Sequence, residues 1–192
     1  MAVVSSEVQI CNMALRFIGA EPLISLEDNS KQAKLCKLFY EFDRDVLLSE
    51  EVWSFAVTRQ ALSQLSDTNN TNYDYMYQLP VDPYCLVPLE IKDYPNQPFI
   101  IEGRVLYTDL DAVTLRYTAQ VTDPTQYPAL FALALAYKIA SDLASSIEGK
   151  QNRFSEMEAM YRNTLVKAQG VDIGFRSTPV TDSTLWTDER FR

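Results

Sequence analysis

Three closely spaced carboxylate pairs are the residues whose spacing can do chemistry: Asp43 with Asp45, Glu50 with Glu51, and Asp109 with Asp111. Two carboxyls held across a sugar bond, one protonated and one ionised, hydrolyse glycosides. In a chain with 26 acidic and 17 basic residues, the same pairs read more simply as solvated surface. Arg44, set among Glu41, Asp43 and Asp45, likewise reads as a helix-surface ion pair rather than an anion site. The sequence contains no histidine, which removes the usual general base, the Ser-His and Cys-His nucleophile pairs and the commonest zinc ligand. Its 5 glycines, at positions 19, 103, 149, 170 and 174, cannot form a G-x-G-x-x-G or G-x-x-x-x-G-K-S phosphate loop. Cys11, Cys36 and Cys85 are odd in number and far apart, which fits neither a disulfide framework nor a C-x-x-C clip; they read as reduced, mostly buried thiols. No catalytic, cofactor-binding or metal-binding residue is assigned on these patterns.

Two groups of aromatic residues have a possible role in binding. Tyr73, Tyr75 and Tyr77 alternate along one segment, either as the core face of a strand or as an amphipathic surface meeting another subunit. Trp186 lies in a polar terminus with no local core to bury it, so a partner pocket is favoured over free exposure, with docking back on its own domain as the rival. The formal charge of −9 and a pI near 4.5 argue against tight nucleic-acid binding, which needs clustered Lys and Arg. The N-terminus lacks a basic region followed by an apolar one, which points to cytoplasmic synthesis. The longest apolar run, Ala129 to Tyr137, is far short of the roughly 20 residues a membrane span needs, so none is expected.

These residues must be positioned by elements legible in the periodicity. Ser5 or Ser6 caps a helix over residues 6–18, ending at Gly19 with Pro22 beyond. Asn29-Ser30 starts a second helix whose wide apolar face, Ala33 to Leu47, predicts a central position. The polar stretch 66–72 favours turns and reads as a boundary. Beyond it the period changes to two: Tyr73 to Leu79, Leu86 to Ile91, Phe99 to Leu106 (broken at Glu102-Gly103) and Val113 to Tyr117 read as a small antiparallel sheet with irregular edges. Pro128 opens a helix with Phe131, Leu135, Ile139 and Leu143 on one stripe and Ala132, Ala136, Ala140 and Ala144 beside it. Gly149 ends it, and a fourth helix carries Phe154, Met157, Tyr161, Leu165 and Ala168 on one face.

The fold expected is α+β, a bundle of about four helices with an antiparallel β insertion and an extended C-terminal tail. Residues 1–65 hold the N-terminal helices, 66–122 the insertion, 123–169 a helical hairpin that completes the bundle, and 170–192 an aperiodic tail with isolated Phe175, Leu185, Trp186 and Phe191. Leu15, Phe39, Phe42, Leu135, Ile139 and Leu143 are the expected core.

Taken in order, three blocks resemble the tail tubular protein A, or head-to-tail adaptor (connector), family of short-tailed bacteriophages. They run from Ile10 to Ala56, ending in the W-x-F-A of Trp53 to Ala56; from Tyr77 to Leu89; and from Ile101 to Ala144, with Glu102-Gly103-Arg104 and Tyr107-Thr108-Asp109. The resemblance implies a structural, non-enzymatic virion protein without a cofactor. It implies a dodecameric homo-oligomeric ring that docks the portal protein through its C-terminal extension and receives the tail nozzle protein beneath. The expected location is the portal-proximal tail of the virion, with DNA passing through the ring during ejection without tight binding. It also places portal docking on Phe175, Leu185, Trp186 and Phe191; the subunit-interface reading of Tyr73, Tyr75 and Tyr77 rests on their alternation alone. The alternatives are a tail-associated peptidoglycan hydrolase and a soluble protein-interaction domain unrelated to phage.

Overall fold

The Ser6 hydroxyl accepts a hydrogen bond from the Gln9 amide and the Ser30 hydroxyl one from the Ala33 amide, and each caps the first turn of a helix. A computed structural model describes residues 6–66, 71–147 and 151–176. Among these residues are four α-helices: α1 (Glu7–Phe17), α2 (Lys31–Glu50), α3 (Ala129–Ser146) and α4 (Phe154–Arg176). Six strands lie between α2 and α3: β1 (Val57–Ala61), β2 (Tyr75–Gln78), β3 (Cys85–Ile91), β4 (Ile100–Glu102), β5 (Val105–Thr108) and β6 (Thr114–Ala119). The fold is α+β, as the change of period predicts.

Helix α3 is the central element, touching α1, α2 and α4. Phe131, Leu135, Ile139 and Leu143 are all buried, and so are the four alanines beside them, whose small side chains let neighbouring helices come close. By length and composition α3 could cross a bilayer; here 56% of it is buried inside the protein. Gly19 stands at φ +67° after α1, and the backward bonds Gly19 N–H to Arg16 O and Ala20 N–H to Leu15 O close that helix. Asn12 then fixes the connection to α2 by donating to the Leu23 carbonyl at 2.9 Å and accepting from its amide at 2.7 Å.

The strands form two three-stranded antiparallel sheets, in the orders β1-β6-β3 and β2-β5-β4, rather than the single small sheet expected. Tyr77, Leu79, Cys85, Ile91, Leu106, Leu115 and Tyr117 pack in a second core, separate from that of the helices. Pro88 is tolerated because β3 is an edge strand with register shifts on either side of it. Gly103 and Arg104, at φ +53° and +71°, make the two-residue turn between β4 and β5, where both positions need a left-handed backbone.

Further expectations are corrected. Strand β1 falls inside the segment assigned to helices: the helical part ends at Glu50, and Val57–Ala61 pairs with β6 some sixty residues later, a partner that local periodicity does not reveal. Helix α2 touches α1, α3, β3 and β6 but leaves one side in solvent, and Phe42 is 63% exposed instead of in the core, because Ala33, Cys36, Tyr40 and Leu47 take the inward face. Phe39 packs at the edge of the core, while Leu15 is fully inside. Residues 170–176 are the last turns of α4 and not an aperiodic tail. Gly149 lies outside the described residues.

Asp172 explains why the helix continues. It is buried, and its carboxylate accepts from the Ser54 amide at 3.0 and 3.1 Å and from the Ser54 hydroxyl, tying α4 to the turn after α2. Asp172→Ala removes the acceptor of the Ser54 amide and hydroxyl, and a loss of about 1 kcal/mol in unfolding free energy is expected, read as a lower urea midpoint.

Candidate functional site

The Asp43/Asp45 pair proves to be two different environments on α2. Asp43 is wholly buried against α3, a correction to its reading as solvated surface. Neither of its oxygens accepts a hydrogen bond, and Lys138 Nζ stands 3.9 Å away while bonding Asp142 at 2.8 Å. Burial and the neighbouring Asp142 charge push the Asp43 carboxyl up to about 8, against the opposing pull of Lys138, so at neutral pH it is largely the protonated acid. The same seam continues into α4, where the Tyr161 hydroxyl donates to Glu50 at 2.6 Å. Burial, then that carboxylate, hold the Tyr161 phenol well above its ordinary range.

Arg44 is buried as well, so its reading as an exposed ion pair is also corrected. Its Nε donates to Asp45 at 2.8 Å, and the other Asp45 oxygen accepts from Gln120 Nε2 at 2.7 Å, which ties α2 to the segment after β6. Burial opposes the charge on Arg44, and the Asp45 carboxylate more than offsets it, leaving the guanidinium above its usual range. Asp43 has no access to solvent, and Asp45, at the edge of a surface groove, is held by Arg44 and Gln120. Asp109 and Asp111 are exposed, as expected.

Arg104, noted in sequence only as part of a resembling block, organises the loop before β3. It donates to the carbonyls of Pro80 at 2.7 Å and Cys85 at 3.3 Å and lies over the Tyr84 ring at 3.9 Å. Its role here is structural. Cys11, Cys36 and Cys85 are buried free thiols, and among the described residues no group of three or more Cys, Asp or Glu is arranged to hold a metal.

The binding residues separate. Tyr77 is sealed in the second core and donates to the Leu110 carbonyl at 2.7 Å, whereas Tyr73 and Tyr75 are partly exposed, so only these two can reach a neighbouring molecule. Of the tail residues, Phe175 is placed on α4 by its backbone alone; its side chain, and Leu185, Trp186 and Phe191 entirely, lie outside the described residues.

The uncovered apolar surface lies elsewhere. Leu38 and Phe42, one helical turn apart on α2, are each 63% exposed, and with Val46 they line a shallow groove edged by Glu41, Asp45 and Glu50. On α4, Val166 and Ile173 are 67% and 58% exposed. At the end of the bundle a smaller apolar cavity of 270 Å³ opens between Trp53, Phe131, Ala168 and Val171. The exposure of Leu38 was hidden in the sequence by the breadth of the α2 apolar face. Neither a scan against protein-family models nor a search of curated proteins finds a match to this chain.

Proposed function

We propose that this chain is a structural virion protein, a head-to-tail adaptor whose ring joins the portal to the tail nozzle and continues the DNA channel. The carrying observation is the uncovered apolar face of α2, where Leu38 and Phe42 stand in solvent on a helix whose opposite side is fully packed. Large apolar side chains so placed on one helix face support the reading as an assembly subunit. The ordered resemblance of three blocks, from Ile10 to Ala144, supplies the identity of the assembly. The carboxylates fit the same reading: Asp43 is buried and Asp45 is committed to Arg44 and Gln120, so this pair serves packing and not sugar hydrolysis. A net charge of −9 suits a channel through which DNA slides without sticking.

Portal docking is assigned to the segment after Arg176, with Leu185 and Trp186 as anchors and Phe191 as a lesser one. Ordering such a segment costs roughly 1 to 2 kcal/mol per residue in backbone entropy, so deep burial of a few large side chains must offset it. In co-sedimentation with purified portal, a chain ending at Arg176 should lose binding, and Trp186→Ala should weaken it by about 2 kcal/mol or more. Wild-type binding by both would move docking to the folded domain. Antibody labelling of virions in electron microscopy away from the portal–tail junction would overturn the reading as a whole.

A further inference from the structure

The cavity at the end of the bundle has apolar walls and no occupant among the described residues. Trp53, Phe131 and Ala168, all buried, form its floor, and the exposed Pro128, Ala129 and Val171 edge its mouth. Such walls offer water few hydrogen bonds, so an apolar group that displaces it gains free energy. A cavity of about 150 Å³ with walls of this kind already accepts benzene. At 270 Å³ this one has room for a bicyclic ring, and a valine or leucine would leave much of it empty.

The helix that forms one wall also leads to the rest of the chain. Ala168 and Val171 lie eight and five residues before Arg176, where the described part of α4 ends, or about 8 to 12 Å back along its axis. Residues 177–192 follow, with Val180, Leu185, Trp186 and Phe191 as their large apolar side chains, and Pro179 disfavours continuing the helix. Trp186 is ten residues past Arg176, and ten extended residues span up to about 33 Å, enough to reverse direction and reach the mouth with slack. Val180, four residues past, reaches about 13 Å and would spend all of it on the return.

We propose that Trp186 folds back into the cavity of its own chain, its indole against Trp53 and Phe131, so that the segment after Arg176 is stowed until a partner draws it out. The tether favours the chain's own cavity over that of a second copy, because a short linker holds Trp186 at an effective concentration of roughly millimolar. Under the adaptor reading, on which this consequence alone rests, the portal competes with the cavity for the same side chain. Its apparent affinity is then reduced to the fraction of chains whose Trp186 is free.

The test is fluorine NMR of the full-length chain, without portal, with fluorotryptophan at both of its tryptophans and a soluble gadolinium chelate as the probe of exposure. Trp186→Phe assigns the Trp186 line by its loss. In the folded wild type the chelate should broaden that line about fivefold less than in urea, the protection given by a contact closed about four-fifths of the time. Dilution should leave the protection unchanged. Two variants place a charge at the mouth, where it opposes burial of the indole. Ala129→Asp puts an acid in the first turn of α3, which suits that helix, and Val171→Lys puts a good helix former at an exposed site. Circular dichroism should show both folded, and each should bring Trp186 to the broadening seen in urea. With portal added, each should bind up to about fivefold more tightly than wild type. Equal broadening of Trp186 in folded and unfolded wild type overturns the inference, as does protection that a folded mouth variant leaves intact. Protection lost on dilution overturns it too, by assigning the contact to a second copy. Absence of portal binding by a chain whose Trp186 is protected removes the adaptor reading instead and leaves the stowed segment standing.

Discussion

Phe131→Ala should lower the stability of the chain by about 4 kcal/mol, the largest loss expected from any single truncation considered. Phe131 is fully buried at the start of α3, and its ring meets three others: Trp53 edge-on at 5.1 Å, Phe55 edge-on at 4.9 Å and Tyr127 at 5.1 Å. These come from separate stretches of chain, so the cluster joins the turn after α2 to the segment that enters α3. Edge-to-face contacts add to what area burial alone provides. The surrounding rings cannot collapse into the space, because the Trp53 indole is held by its bond to the Leu47 carbonyl at 2.8 Å and the Tyr127 hydroxyl by the Val121 carbonyl at 2.8 Å. A cavity therefore remains, and its cost adds to the lost transfer energy. Urea unfolding monitored by Trp53 fluorescence should show a lower midpoint with an unchanged slope. A loss below about 1 kcal/mol would mean that the cluster repacks freely.

Asp43→Asn should have the opposite sign, stabilising the protein at pH 8 while leaving it unchanged near pH 4. In the folded chain the Asp43 carboxyl titrates near 8, and in the unfolded chain near its ordinary 3.8. Between those values the folded state keeps a proton that the unfolded state has released, so stability falls as pH rises, by up to about 1.4 kcal/mol per pH unit. Below 3.8 both states hold the proton, and the stabilising contribution is complete; above 8 both have lost it, and the penalty is complete. Asparagine matches the protonated acid in size and neutrality and has no proton to lose. The slope should disappear from that window, with a gain of about 2 kcal/mol or more at pH 8. For a chain of this length that is a rise in melting temperature of roughly 4 to 8 °C. Thermal melts of the two proteins from pH 4 to pH 9 test this: parallel curves across the range would show that Asp43 is ionised in the folded state throughout.

Much of the fold is written locally. The cap at Ser30, the stop at Gly19, the strand alternation and the α3 stripe are short-range signals, because a helix presents the same face every three to four residues and a strand every two. Those signals place α1, α3 and five of the six strands to within a few residues, and they identify the large buried residues of α3. The candidate site was less legible. Asp43 and Arg44 look like every other charge in an acidic helix, and only the approach of Lys138 and Asp142 from α3 makes Asp43 a protonated, buried acid.

By itself, then, the sequence determined the fold class, the order of the elements and the chemistry it lacks: without histidine, and with 5 scattered glycines, whole families of sites cannot be assembled. Tertiary structure decided which side of α2 faces inward, that Val57–Ala61 pairs with β6, that Asp172 carries α4 through Gly170 and Gly174 to Arg176, and which of the three tyrosines reaches solvent. The reason is one of distance along the chain. Periodicity says that a helix has an apolar face, but α2 has more apolar surface than one neighbour can cover, and the choice between Leu47 and Phe42 is made by whatever packs there. That neighbour is α3, some eighty residues away. Once α3 takes the inner face, Leu38 and Phe42 are left in solvent, open to another molecule.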